Sequence, residues 1–319
     1  MTLAEAAASD QLLIVDRLKR SSSVDEFVLE RHDGRRLPDW APGAHIDVVL
    51  PSGKIRQYSL CGDRWNAHQY RIAVQHEPKG AGGSQELHDQ LAIGDAVGFG
   101  GPRNNFRFAP AQHYRFIAGG IGITAVMPMI NQADLLDLDW QLLYLGRTPE
   151  RMAYQELQDL YPQRVTVHTS VPDGRISVRD WLGEVPEDTM IYACGPEALL
   201  EALPQECQGL PSTHLRTERF TNTQNDATVS SKPYEIQLQR SGRVVQAPGT
   251  SPVIDVLANA GIDVITSCSK GVCGTCEIDV LDGDIDHRDA ILDDAERAEN
   301  TCMFPCVSRC LSERLVLDL

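Results

Sequence analysis

The chain has 319 residues, and 29 Lys and Arg against 45 Asp and Glu leave a formal net charge of −16. That balance argues against a basic nucleic-acid-binding face, and 42% hydrophobic with 23% charged residues is a globular composition, not a disordered one. No apolar run approaches the roughly eighteen residues of a membrane span, and Met1–Asp10 has no basic stretch ahead of an apolar core, so no secretory signal is read and a cytoplasmic location is expected.

Short strands with turn signals come first: Gln11–Leu18, Glu26–Arg31, His45–Leu50, Ile55–Leu60, Tyr70–Gln75 and Ala96–Gly101. Their even spacing and Gly/Pro punctuation predict a small antiparallel β-barrel. Within it, alternation puts Arg56, Tyr58 and Leu60 on one face of a strand and Ser59 on the other. Gly80-Ala81-Gly82-Gly83-Ser84 precedes a helical stretch, Gln85–Leu91, and offers backbone N–H groups and a hydroxyl to a phosphate. A plain glycine turn is the competing reading.

The texture changes near His113. Strands at Tyr114–Ala118, Gln141–Leu145, Val165–Thr169 and Met190–Cys194 alternate with helical stretches after Thr124, at Ala153–Leu160, at Val178–Leu182 and from Glu197. This predicts an α/β domain with an open parallel sheet. Gly119-Gly120-Ile121-Gly122-Ile123-Thr124 and Cys194-Gly195-Pro196-Glu197 are both strand-to-helix turns, at the sheet edge where such folds bind nucleotides. Neither is G-x-G-x-x-G, and the pair carries more weight than either turn alone.

Thr221–Ser231 has no apolar periodicity and reads as a linker. Beyond it, strands at Tyr234–Gln239 and Val244–Ala247 lead to a short helix, Val253–Ala260, and then to a cysteine loop. Cys268, Cys273 and Cys276 form C-x4-C-x2-C, the plant-type spacing for three thiolates of a [2Fe–2S] cluster. Zinc would favour paired C-x2-4-C halves, and only one such pair is obvious. The distant fourth ligand is Cys306 or one of its neighbours Cys302 and Cys310. Nine cysteines make an odd number for a disulfide framework, and Cys61, Cys194 and Cys207 read as small apolar fillers.

Taken together, R-x-Y-S at Arg56–Ser59, G-G-S at Gly82–Ser84, G-G-I-G-I-T, C-G-P and the cluster cysteines resemble, in order and over essentially the whole chain, the phthalate dioxygenase reductase type family, relatives of vanillate demethylase reductase. The resemblance implies an FMN-binding barrel over residues 1–112, an NAD-binding α/β domain over 113–222, a linker over 223–233 and a plant-type ferredoxin (β-grasp) domain over 234–319. It selects Cys306, in C-V-S-R, as the fourth ligand. It also implies that Arg56 and Ser84 hold the flavin phosphate with Gln57, Gly82 and Gly83 nearby, that Tyr58 packs on the isoalloxazine, and that Ser59 lies near its N5. Ala73, Val74 and Gln75 match a segment edging the flavin, and Phe220, in Glu218-Arg219-Phe220, matches an aromatic covering the face that nicotinamide must reach. Gly119, Gly120, Ile121, Gly122, Thr124, Gly195 and Pro196 fall to the nucleotide, while Ser59, Cys194 and Phe220 line the reacting centre. Ala125 stands where relatives often have proline, and Ser269-Lys270 replaces a pair that is often acidic and polar.

The implied activity is electron transfer from NADH through FMN and the cluster to a separate terminal oxygenase. Hydride chemistry supplies electrons in pairs and the cluster takes them singly, which is what a flavin between them reconciles; no protein general base is needed for the hydride step. Arg147, in Gly146-Arg147-Thr148, follows the second sheet strand and is placed to meet a 2′-phosphate, so NADPH stays open beside NADH. Family frequency favours a Rieske non-haem iron oxygenase over a haem-thiolate monooxygenase, and a monomer. A redox sensor subunit without turnover is the reading from another class, and the paired nucleotide turns argue against it. Between Glu277 and Glu299 ten acids face only Arg288 and Arg297, so a steering surface for a basic acceptor is expected.

Overall fold

The computed structural model describes residues 10–209, 214–221, 232–292 and 294–319. The chain divides into two compact units, the first ending at Arg219 and the second beginning at Phe220. Among the described residues no helix is long and apolar enough to cross a membrane. Most of the expected linker lies outside the described residues.

The first unit opens with β1 (Gln11–Lys19), β2 (Val24–Arg31), β3 (His45–Val49), β4 (Ile55–Ser59), β5 (Gln69–Gln75) and β6 (Ala96–Arg103), with α1 (Gly83–Asp89) between the last two. The strands pair antiparallel in the order β4-β3-β6-β1-β2-β5, and a bridge from Leu60 to Ile72 closes the ring. Period-two alternation fills it: Leu12, Ile14, Phe27, Leu29, Tyr70, Ile72 and Val74 point inward. β2 is buried on its other face as well, where Val24, Glu26 and Val28 are covered.

What covers part of that face belongs to the second layer. β7 (His113–Gly119), β8 (Asp139–Gly146), β9 (Val165–Thr169), β10 (Thr189–Cys194) and β11 (His214–Glu218) form a parallel sheet in the order β11-β10-β7-β8-β9. One face packs α2 (Ile123–Leu135) over Phe116, Leu142 and Tyr192, and the other packs α4 (Val178–Leu182) and α5 (Glu197–Glu206) over Ile117, Leu143 and Ile191. Burial on both faces explains the near-continuous apolar reading of these strands. The first of these cores also takes in Val24, Cys61 and Ala73 from the barrel, so barrel and sheet share it.

Two differences from the sequence expectation lie near the candidate site. The helix expected from Ala153 begins only at Glu156, as α3 (Glu156–Leu160), because Tyr154 takes φ 57° and a left-handed residue cannot sit inside a right-handed helix. β11 was not expected, and it adds an edge strand whose Glu218 lies in register with Cys194.

The second unit has β12 (Tyr234–Leu238), β13 (Val244–Ala247), α6 (Val253–Asn259), β14 (Ile278–Asp282), β15 (Ile285–Asp286), α7 (Asp294–Glu299), β16 (Cys302–Met303), β17 (Arg309–Cys310) and β18 (Arg314–Leu317). A mixed sheet, β13-β12-β18-β14-β16, wraps α6, whose Val253, Val256 and Leu257 enter a core of its own. β15 and β17 pair separately. The expected multidomain architecture is therefore present: closed antiparallel barrel, open parallel sheet and α+β ferredoxin-like module.

The segment joining barrel to sheet is held by two buried tyrosines. Tyr192 Oη accepts from the Ala109 N–H at 2.6 Å and donates to the Arg107 carbonyl at 3.0 Å, and Tyr114 Oη bonds Ala111 N and Ala109 O in the same manner. Losing one such hydroxyl strands a buried N–H and a carbonyl. Tyr192→Phe is therefore expected to cost about 1–3 kcal/mol, read as a lower urea midpoint with unchanged slope; an unchanged midpoint would show that water replaces the hydroxyl at no cost.

Candidate functional site

Arg56 on β4 reaches across to the turn ahead of α1. Its guanidinium donates to the Ile55 carbonyl at 2.7 Å and to Ala81 O at 2.9 Å, and a β-carbon on Gly83 would fall 2.6 Å from the Arg56 side chain. Arginine and glycine turn thus close on each other, with Lys54 Nζ 3.3 Å from where a Gly82 β-carbon would lie. Ser84 Oγ, one residue on, accepts from the Glu77 N–H at 3.0 Å. The Arg56 guanidinium and the Ser84 hydroxyl stand at this turn, where Gly83 is buried and the Lys54 ammonium pairs with Glu86 at 3.4 Å; these side-chain donors suit a phosphate.

Alternation on β4 follows the sequence reading. Tyr58 packs on the barrel core beside buried Leu60, and desolvation pushes its phenol upward. Ser59 faces the other way and is buried. Gln57 donates its side-chain amide to Asp47 at 2.7 Å. On β5, Val74 points into the barrel core and its carbonyl meets His88 Nε2 at 2.9 Å, while Ala73 joins the core shared with the sheet and Gln75 bonds Glu77.

The two nucleotide turns meet backbone to backbone. A β-carbon on Gly122 would lie 2.2 Å from the Cys194 carbonyl oxygen, and one on Gly119 would strike Pro196 at 2.6 Å and Gly195 Cα at 3.3 Å. These glycines are required by each other, whatever else the turns bind. Gly120 has φ 55° and nothing within 4 Å of its would-be β-carbon, so the turn is open there. Ile121 is partly buried against the core. Thr124 is buried and donates its hydroxyl to Ile121 O at 2.9 Å. The Cys194 thiol is wholly buried, its pKa pushed well up by desolvation, and what it presents to the turn is its backbone. Arg147 is exposed, and its carbonyl accepts from the Val171 N–H at 3.0 Å.

Sequence reasoning passed over Glu218, quoted only as the lead-in to Phe220. It ends β11 beside Cys194. The residue keeps some exposure, yet Oε2 is sealed from solvent with no hydrogen-bond partner, and desolvation raises its pKa to about 8. Phe220 itself is exposed, at 41% of its surface.

In the second unit the cysteine loop turns through three left-handed residues, Ser269 (φ 52°), Gly271 (φ 67°) and Gly274 (φ 75°). Cys268 Sγ accepts from the Lys270 N–H at 3.3 Å. The thiols approach in pairs, Cys268 with both Cys273 and Cys306, and Cys276 with Cys306. Hydrogen bonds from these neighbours and from backbone N–H groups hold the Cys268 thiol low, while the same contacts hold Cys306 high. No three metal-ligand side chains among the described residues form a group around a single ion. A two-iron cluster takes thiolates in pairs and hydrogen bonds on sulfur, and these four residues fit it. Cys302 sits apart on β16, raised to about 11 by burial and nearby acids, and the Cys310 thiol contacts Ser312 Oγ at 3.1 Å.

The family described as the 2Fe-2S iron-sulfur cluster binding domain matches residues 236–311, which include all four cysteines. The chain is 37% identical over 314 residues to a putative toluene-4-sulfonate monooxygenase system reductase subunit of Comamonas testosteroni, covering 94% of this chain and 96% of that one. It superposes on phthalate dioxygenase reductase with a TM-score of 0.70 and 34% identity over 97% of both chains. The chain belongs to the phthalate dioxygenase reductase family. It also matches an intact type IV self-sufficient cytochrome P450 monooxygenase with a TM-score of 0.91 and 34% identity; this covers 97% of this chain but only 41% of that much longer one. As a family member the chain is an oxidoreductase whose cofactors are a flavin, a nicotinamide nucleotide and a [2Fe–2S] cluster.

Glu218 makes stability depend on pH. Its folded pKa of about 8 lies above the unfolded value of 4.5, so the folded chain binds the extra proton between those values and stability falls as pH rises through that window. Glu218→Gln cannot ionise, so thermal melts from pH 5 to 8 are expected to show the wild type losing stability relative to the variant. Parallel pH profiles would show that the carboxyl is solvated in solution.

Proposed function

We propose that this chain is the reductase component of an oxygenase system, carrying electrons from NADH through FMN and its [2Fe–2S] cluster to a separate terminal oxygenase of the Rieske non-haem iron type. The carrying observation is that barrel, parallel sheet and paired-thiol loop follow one another in a single chain, as in phthalate dioxygenase reductase, over nearly the full length of both. The modules divide at 112/113 and across the 223–233 linker.

Bound flavin supplies the exchange between a two-electron hydride and one-electron transfers. The protein binds and orients. Arg56 and Ser84, with Gly82 and Gly83, would hold the flavin phosphate, and the early linker and the family likeness favour FMN over FAD. Tyr58 would pack on the isoalloxazine, Ser59 and Gln57 would lie along its edge, and Ala73–Gln75 would flank it. The turns at Gly119–Thr124 and Cys194–Pro196 hold the nucleotide, with Arg147 at its ribose. Cys268, Cys273, Cys276 and Cys306 ligate the irons.

The acidic segment after the cluster loop steers the acceptor. Glu277, Asp279, Asp282, Asp284, Glu296 and Glu299 are exposed, whereas Asp286 pairs with Arg288 at 2.8 Å and Asp289 is buried, so the charged face is smaller than the sequence count implies. The side chains of Asp293 and Asp294 lie outside the described residues. A second reading, service to a haem-thiolate monooxygenase, is favoured by the P450 that carries this architecture within its own chain.

In an anaerobic titration of the purified protein, NADH is expected to bleach flavin and cluster absorbance together and to produce the low-temperature EPR signal of a reduced [2Fe–2S] centre. Chromophores that stay oxidised would overturn the reading in favour of a sensor, and a clear preference for NADPH would reassign Arg147 to a 2′-phosphate. Second-order reduction of a Rieske oxygenase is expected to slow steeply with added salt; rates flat with ionic strength would remove the steering role.

A further inference from the structure

Glu26 is a charged residue on the outer face of a barrel strand, yet it is 2% exposed. Its carboxylate is fully engaged. Oε2 accepts from Tyr154 Oη at 2.7 Å and from Arg20 Nε at 2.9 Å, and Oε1 accepts from the Arg71 guanidinium at 2.8 Å. Two of the donors come from the barrel and the third from the far side of the shared core, 128 residues along the chain.

Tyr154 is an unusual donor. It is a buried, non-glycine residue held at φ 57°, in the left-handed region that L-residues rarely adopt. The Arg20 guanidinium lies 5.2 Å above its ring, and its hydroxyl is 3.5 Å from Cys61 Sγ. Around it the two modules are further tied by the Ser22 N–H donating to Glu150 O at 2.8 Å and by Arg20 facing Glu156 at 3.7 Å.

The placement of these groups gives the contact its meaning. Cys61 and Arg71 tie the network to β4 and β5, with Cys61 two residues beyond Ser59 and Arg71 two before Ala73. Tyr154 lies seven residues beyond Arg147, in the segment that leaves the nucleotide edge of the sheet. One buried ion group therefore joins the strands assigned to the flavin with the segment that follows the nucleotide loop.

We propose that Glu26 and Tyr154 are positioning residues for hydride transfer, the contact between them setting the distance at which the nucleotide module presents its ligand to the barrel. This rests on the reading that NADH reduces a flavin in this unit. In that step the C4–H bond of the dihydronicotinamide breaks, hydrogen leaves with both electrons for N5 of the flavin, and NAD⁺ remains; neither residue gains or loses a proton. Such transfers demand reacting atoms about 3–3.5 Å apart, and a displacement near 1 Å costs about a hundredfold.

The test is anaerobic stopped-flow reduction of the holoprotein by NADH and by 4-deuterated NADH, with Tyr154→Phe, which removes one hydroxyl, and Arg20→Lys, which keeps the charge. Tyr154→Phe is expected to slow limiting flavin reduction by about tenfold or more while the NADH Kd moves by less than about twofold, a loss of alignment without a loss of binding. The long-wavelength charge-transfer absorbance of the nucleotide–flavin complex should weaken in parallel, and Arg20→Lys should shift both readouts the same way by less. Unchanged rates and absorbance with only a lower melting temperature would reduce the contact to a structural one and overturn the proposal. Should Tyr154→Phe fail to retain flavin, wild-type behaviour of Arg20→Lys overturns it alone. A wild-type protein that NADH does not reduce overturns instead the functional reading beneath it.

Discussion

The Cys194 carbonyl occupies the space that any side chain on Gly122 would need, and this clash shapes the nucleotide edge of the molecule. Because β7 and β10 are neighbours in the parallel sheet, their strand-to-helix turns emerge side by side. They reach the same edge only if both lack side chains at the point of contact. Once the turns are pressed together, Gly120 is left open on the approach side and the helix that follows, α2, is committed to the face that covers the barrel.

Two buried carboxyls in this unit show how differently the same fold treats the same group. Glu26 has donors from three residues, and its charge is retained: hydrogen bonds from Arg20, Tyr154 and Arg71 outweigh desolvation and hold its pKa below the ordinary value. Glu218 has a sealed oxygen and no donor, and desolvation alone governs it. Burying a carboxylate is tolerable only when its lone pairs are met. The first carboxyl therefore acts as a fixed ionic joint between modules. The second is a neutral acid at the sheet edge across much of the physiological range, beside the strand end that the nucleotide turns share.

The strands of the barrel and of the parallel sheet were legible because both leave a simple trace: alternation where one face is covered, continuous apolar runs where both are. The cysteine loop was legible because its spacing is local. What escaped the sequence was every feature assembled from distant positions. Nothing in Glu26, an acid between Asp25 and Phe27, marks it as buried; its partners lie 6, 45 and 128 residues away. Tyr154 lies in a stretch, Ala153–Leu160, whose pattern is helical, yet it takes φ 57° and reaches Glu26. Glycines in the two turns were legible as turns, but their first obligation is to each other. The acidic stretch was over-counted for a related reason: linear charge cannot show that Asp289 turns inward to accept the Ile291 and Leu292 N–H groups.

The distribution of cores matches the division of chemical labour. A hydride moves only between atoms already in near-contact, so the modules that would hold donor and acceptor must not drift, and these are the two that share a hydrophobic core and the Glu26 joint. The cluster module has cores made solely of its own residues, Tyr234 to Leu317 in one and Cys276, Phe304, Cys306 and Val307 at the heart of the other. Electrons delivered singly place no comparable demand on bonded-atom alignment. The same architecture occurs within a much longer polypeptide, that of a self-sufficient cytochrome P450 monooxygenase.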